Sequence, residues 1–406
     1  MKHFIILVIF ISMWSFSIAE SIEITDNPAS LAYNNRWELE LPLLNYELNL
    51  DNSLLNLDNL DIFDKSKYDN GHIMSNQDKE ILTKDDLVLY GAFGTTLVGA
   101  RYKNFGIKFS GYGKLYAPVL DKKYAQLALY GNETNKIYQF DSGENSRGYV
   151  FLKTVLSYAI PREFNLGSLL RSESSWLNIP FNIGFNLNTY YPGYYAEMKK
   201  SSQTFGSLVD SLFYDYEALY YYYDDKSSGR LSLGLGFGLM SNFGKGRFDF
   251  HLDDLFGSLQ LNDLAGGEYR GEYSDYLLYF HADDYEPFDT STENDSLRIK
   301  KRSYKFSPSI FIGFKYDLYK GIKTLLNYQN SNYLYPNGVS MGVEYAVIDK
   351  IPLGFKIGKD ENIYFRFNSG LEFRNVSFGF AFTSYYGFFN HARGLGIESS
   401  LKIRFN

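Results

Sequence analysis

The residues best placed for chemistry surround His251, in Phe248-Asp-Phe-His-Leu-Asp253. Strand spacing puts Asp249, His251 and Asp253 on one face, because alternate side chains point the same way. An imidazole between carboxylates can serve as an acid/base group or metal site, and with Ser232 as nucleophile it would resemble a lipase centre. The same trio serves as well as a hydrogen-bonded polar interior, and nothing in the spacing positions a nucleophile. No catalytic residue is therefore assigned and no enzyme activity is expected. Asp283, Asp284, Glu286 and Asp289 lack EF-hand spacing and read as a solvated loop. The chain has no Cys and only 5 His among 406 residues, so neither a metal site nor a cofactor is expected. Gly234, Gly236 and Gly238 have no helix after them to cradle phosphate.

The elements carrying these residues have a period of two. Phe181, Ile183, Phe185 and Leu187 alternate with Asn182, Gly184, Asn186 and Asn188. Leu231, Leu233, Leu235, Phe237 and Leu239 alternate with Ser232 and the three glycines in the same way. A glycine row at i, i+2, i+4 predicts curvature and an object packed closely against that face. Further strands are predicted at 37–49, 87–93, 97–103, 105–113, 149–160, 308–318, 322–329, 338–347, 351–358, 362–373, 376–386 and 394–405. A turn at Arg374-Asn375 would align Leu371 with Phe378, Ser369 with Phe380 and Phe367 with Phe382. A turn at 348–350 would align Val347 with Ile351, Tyr345 with Leu353, Val343 with Phe355 and Met341 with Ile357. Both registers put the apolar residues on one face.

The opposite face carries Lys315, Asp317, Glu344, Lys356, Arg366, Glu372, Glu398, Lys402 and Arg404, so it must be wet or tightly paired. A soluble sandwich would also alternate. Four features favour an all-β, transmembrane antiparallel β-barrel of about 14 strands: an export signal, tight turns alternating with long loops, aromatic residues near strand ends, and a final strand at the chain terminus. Residues 1–19 read as a signal peptide with a basic start, an apolar stretch and a small-residue site at Ala19. Residues 20–406 read as one barrel domain in a Gram-negative-type outer membrane. Segments 20–36 and 58–86 form a plug and a short helical insert, and 118–148, 192–229 and 256–304 form long loops. The aromatic-rich Leu212–Asp225 stretch reads as an external loop or strand extension. The net charge of −7 argues against nucleic acid as a partner. The expected partners are the bilayer and, through Gly394–Asn406, which resembles the C-terminal strand signal, the barrel-insertion machinery.

After the predicted cleavage site, Asp26-Asn27-Pro28-Ala29-Ser30-Leu31-Ala32 resembles the Asn-Pro-Ala motif of the long-chain fatty-acid transporter (FadL-like) group and of related PorV-type barrels. That resemblance implies 14 strands around an N-terminal plug, with Asn27, Pro28 and Ala29 in the plug. The expected function is a plugged passive transporter or channel for a small or hydrophobic solute. The alternative is a secretion-associated scaffold that binds a protein or glycan through its long loops.

Overall fold

The computed structural model describes residues 27–33, 36–41, 44–56, 58–59, 62, 74–141, 143–169, 179–207, 211–276, 291–319, 321–334, 336–348, 351–360, 363–373 and 375–405. The signal segment and the acidic 283–289 cluster lie outside them.

Fourteen strands follow one another around the barrel, each antiparallel to its neighbours. β1 comes in two pieces, Trp37–Glu40 and Tyr46–Asn52. It is followed by β2 (Leu87–Tyr102), β3 (Phe105–Leu120), β4 (Arg147–Ala159), β5 (Pro180–Ser207), β6 (Ser232–Phe243) and β7 (Gly246–Leu255). The circuit continues with β8 (Ser309–Tyr319), β9 (Ile322–Asn330), β10 (Gly338–Ile348), β11 (Ile351–Lys359), β12 (Ile363–Glu372), β13 (Val376–Tyr385) and β14 (Gly394–Phe405). Closure is visible in β1, where Leu39 pairs with Ala100 of β2 on one side and Ile403 of β14 on the other. Leu48 repeats this with Phe93 and Ile397. Closure leaves no barrel edge, the condition for a sheet to sit in hydrocarbon.

β10 decides between a sandwich and a membrane barrel. Along this one strand Met341, Val343 and Tyr345 are 60%, 47% and 46% exposed, while Ser340 and Glu344 are 7% and 4% exposed. Apolar side chains face out and polar ones are buried, the reverse of a water-soluble sheet. The two predicted registers are observed at Phe367–Phe382, Ser369–Phe380 and Leu371–Phe378, and at Met341–Ile357, Val343–Phe355 and Tyr345–Leu353. The second differs only beside its turn, where an irregularity puts Ile348 rather than Val347 opposite Ile351.

The start and end of the strand circuit and most of its two- and three-residue turns lie at one end, together with the 160–179 connection; the 121–146, 208–231 and 256–308 connections lie at the other. At the turn end, Trp37 stacks on Tyr102 with ring centroids 4.4 Å apart and Phe105 meets Tyr158 at 4.9 Å. Such rings favour the headgroup level. The predicted 37–49 strand is broken between Glu40 and Tyr46. Pro42 lacks the N–H that a ladder needs. The Asn45 amide bridges the gap: its Oδ1 accepts from Leu401 N at 2.8 Å, and its Nδ2 donates to Leu401 O at 3.1 Å and Leu41 O at 2.8 Å. A side-chain amide thus replaces a peptide unit in the seam that closes the barrel.

The segments expected to be long loops contain much regular structure. β5 runs 28 residues, and its upper half leaves the barrel to pair with Ser211–Tyr222. That strand pairs with Ser258–Tyr276, which pairs with Ser291–Lys305, so an external sheet rises from the wall. Alternating Tyr and cross-strand ring contacts such as Tyr220–Tyr269, 5.7 Å apart, supply its β preference despite the charge content. Within 118–148 lie the end of β3, a helix (Lys122–Tyr130) and the strand Lys136–Phe140. Helix α1 (Asn76–Leu82) starts at Ser75, whose hydroxyl accepts from Asp78 N at 3.1 Å. Its Ile81 and Leu82 cover Leu54, Leu55 and Leu87 at the loop end.

Candidate functional site

The inward faces of β4 to β8 build a site in three layers. The lowest is a seat for the segment that begins at Asn27. Gly238 of β6 lies opposite Gly184 of β5. A Cβ on Gly238 would strike the Asn27 side chain and come within 2.8 Å of Pro28 Cδ; one on Gly184 would come within 2.5 Å of Ala29 N. The missing side chains therefore create the space that Asn27, Pro28 and Ala29 occupy. Asn27 Nδ2 donates to the carbonyl oxygens of Leu239 (3.2 Å) and Phe250 (3.1 Å) and to the Asp249 carboxylate. Asn27 Oδ1 accepts from Ala29 N at 2.9 Å, which starts the 3-10 turn Pro28–Tyr33. Asn27 and Ala29 are buried.

The middle layer is charged and dry. Lys153 of β4 is 3% exposed, and its Nζ donates to Asp253 (2.6 Å), Asp254 (2.8 Å) and Tyr333 Oη (2.5 Å). Asp254 also accepts from Tyr190 Oη (2.6 Å) and Ser309 Oγ (2.5 Å). Asn188 Nδ2 donates to Asp253 Oδ1 at 2.6 Å. His251 Nε2 lies 3.4 Å from Asn186 Nδ2 and 4.0 Å from Asp253 Oδ1. Charges in such surroundings persist only when paired and hydrogen-bonded.

The upper layer is aromatic. Phe151, Tyr190, Phe306 and Tyr333 meet with Leu259, Leu261 and Leu264 in one buried cluster. Phe306 and the three leucines come from the connection between β7 and β8, so the root of the external sheet reaches over the charged layer.

Asp249, His251 and Asp253 share the inward face, as their spacing predicted. Ser232 does not join them. It lies six residues along β6 from Gly238, the partner of His251, roughly 20 Å away by strand rise, and its hydroxyl donates to Ser258 O. The nucleophile and base of the lipase-like reading are separated. Arg366 and Glu372 sit on another part of the wall. Arg366 forms a two-pronged pair with Glu398, one arm 2.6 Å, and Glu372 accepts from Arg404 at 2.8 Å.

Sequence reasoning missed Lys153 and Asp254. Lys153 was detectable as the single Lys or Arg among 149–160, at the parity of buried Phe151 and Val155. Asp254 was not, because simple alternation turns it outward. A bulge opposite Leu235–Phe237, with φ of +58° at Asp254, brings it inside.

No family model matches the sequence, and no curated relative matches it. Solved structures do. The chain is similar in shape to two toluene transporters and to a FadL homologue. The toluene transporter TodX of P. putida is 10% identical with a TM-score of 0.44, covering 94% of this chain and 93% of its own. The toluene transporter TbuX of Ralstonia pickettii is 10% identical, TM-score 0.44, covering 94% and 92%. A Pseudomonas aeruginosa FadL homologue is 10% identical, TM-score 0.39, covering 93% and 91%. The barrel assignment stands on ladder closure and the exposed apolar belt, independently of these likenesses.

Proposed function

We propose that the protein is a plugged outer-membrane barrel that passes a small solute passively. The observation that carries this reading is the stacking of the three layers within one wall of a closed barrel, under a cavity at the loop end. A general pore would leave its inward polar groups in water, whereas Ser110, Asn188, Lys153, Thr383 and Glu344 are all buried. Asn27, Pro28 and Ala29 act as the stopper, and Asp249 and the glycine pair act as its seat. Arg366–Glu398 and Arg404–Glu372 hold the opposite wall in shape by neutralising each other.

Planar-bilayer recording in molar potassium chloride tests this. The expected record is a closed baseline with brief openings. A large steady conductance would contradict the stopper, and a chain that never opens would favour the scaffold alternative.

A further inference from the structure

The loop end of the lumen holds a cavity of about 380 Å³, near the lower limit for small-molecule sites. Its wall is assembled from distant parts of the chain: the loop ends of β2 and β3, the start of β4, Tyr304, and the connections that follow β9 and β11. The rings of Tyr90 and Tyr116, on facing positions of β2 and β3, lie 5.3 Å apart. Tyr149 and Tyr304, also 5.3 Å apart, add a second pair. Asn145 and Asn330 also line the cavity, and among the described residues no hydrogen bond engages their side-chain amides. Lys114 and Arg147, the latter paired with Glu197 at 2.7 Å, add positive charge and Asp360 a negative one.

This wall is also held in place. Asn332 Oδ1 accepts from Ser307 N at 3.1 Å, Asn337 Oδ1 accepts from Ser331 N at 2.8 Å, and Tyr149 Oη donates to Asn332 O at 2.7 Å. Fixing the loop in advance reduces the ordering cost of binding.

The geometry points to a binding site for a saccharide of one or two rings. A sugar ring presents C–H faces that lie on tyrosine rings and a rim of hydroxyls that both donate and accept. An asparagine amide offers both functions in turn. A purely apolar ligand would strip water from the amides and the charged groups without replacing those bonds. A small inorganic anion would leave the rings without a partner and face Asp360. The inference names the solute class of the proposed pathway and rests on that reading for its biological sense.

Titration calorimetry on the folded, detergent-solubilised protein with glucose, maltose and galacturonate tests it, with toluene as the apolar probe. Binding needs no passage, so a failure here is distinct from a failure in the bilayer. At least one sugar should bind, about tenfold more weakly to Tyr116→Ala and to Asn330→Ala. Both variants should keep the wild-type electrophoretic shift on heating, and toluene should not displace the sugar. The proposal is overturned if no sugar binds, if neither substitution weakens binding, or if toluene competes.

Discussion

Gly184→Val combined with Gly238→Val is expected to turn a closed barrel into a steadily conducting one. The two glycines face each other across β5 and β6, and the first atoms of new side chains would fall within contact distance of Asn27, Pro28 and Ala29. At Gly184 the obstructing atoms are backbone, Ala29 N at 2.5 Å and Pro28 O at 2.7 Å, which cannot rotate aside. Overfilling a packed site costs about 1–3 kcal/mol per position. Against this, the segment is held by Asn27 Nδ2, whose two protons are shared among three acceptors and contribute about 2 kcal/mol net in all. The balance favours leaving the seat while the barrel ladder stays intact. Bilayer recording should show a raised baseline, with the heat-dependent gel shift unchanged. Gly111→Ala is a suitable control, because its Cβ would meet Thr95 Cγ2 at an ordinary 3.6 Å. A double variant that stays closed would show that this segment does not stop the lumen.

Lys153→Met is expected to cause the largest loss of stability among single substitutions in the lumen. It leaves Asp253 and Asp254 buried, 4% and 0% exposed, without the cation that both contact. Removing one partner of a buried ionic cluster typically costs about 3–5 kcal/mol. The loss should extend beyond β4. Asp254 sits at the root of the external sheet, and Tyr333, which donates to it at 3.1 Å, belongs to the connection after β9. The electrophoretic unfolding transition should therefore move to lower temperature. Adding Asp253→Asn and Asp254→Asn should recover much of the loss, since the triple variant buries neutral amides instead of opposed charges. An unchanged transition for Lys153→Met would mean that the cluster contributes nothing to holding the mouth together.

Where alternation was strict, the sequence disclosed the structure at single-residue resolution. Phe367 opposite Phe382 and Met341 opposite Ile357 could be written down because a slip of one residue would turn every apolar side chain inward. The glycine row likewise announced a close neighbour, and the structure places Tyr190, Asp253 and Asn27 against Gly234, Gly236 and Gly238. Legibility failed where period two fails. Asn45 restores a broken ladder with its side chain, and local spacing cannot announce a partner 356 residues away. The external strands carry the composition of loops because, outside hydrocarbon, a strand need not keep a clean apolar face. Their order comes from pairing with one another, as in Gly271 opposite Tyr216 on one side and Thr292 on the other.

The central claim is that apolar side chains meet lipid while their neighbours face a closed interior. The chain has no Cys, so single spin labels can be placed at will. The most direct measurement is oxygen and nickel-chelate accessibility of labels at Ser340, Met341, Gly342, Val343 and Glu344 in bilayers. The account predicts high oxygen collision at 341 and 343, where lipid dissolves oxygen, and low values for both probes at 340, 342 and 344. Equal accessibility at all five positions, or nickel access at 341 and 343, would contradict it.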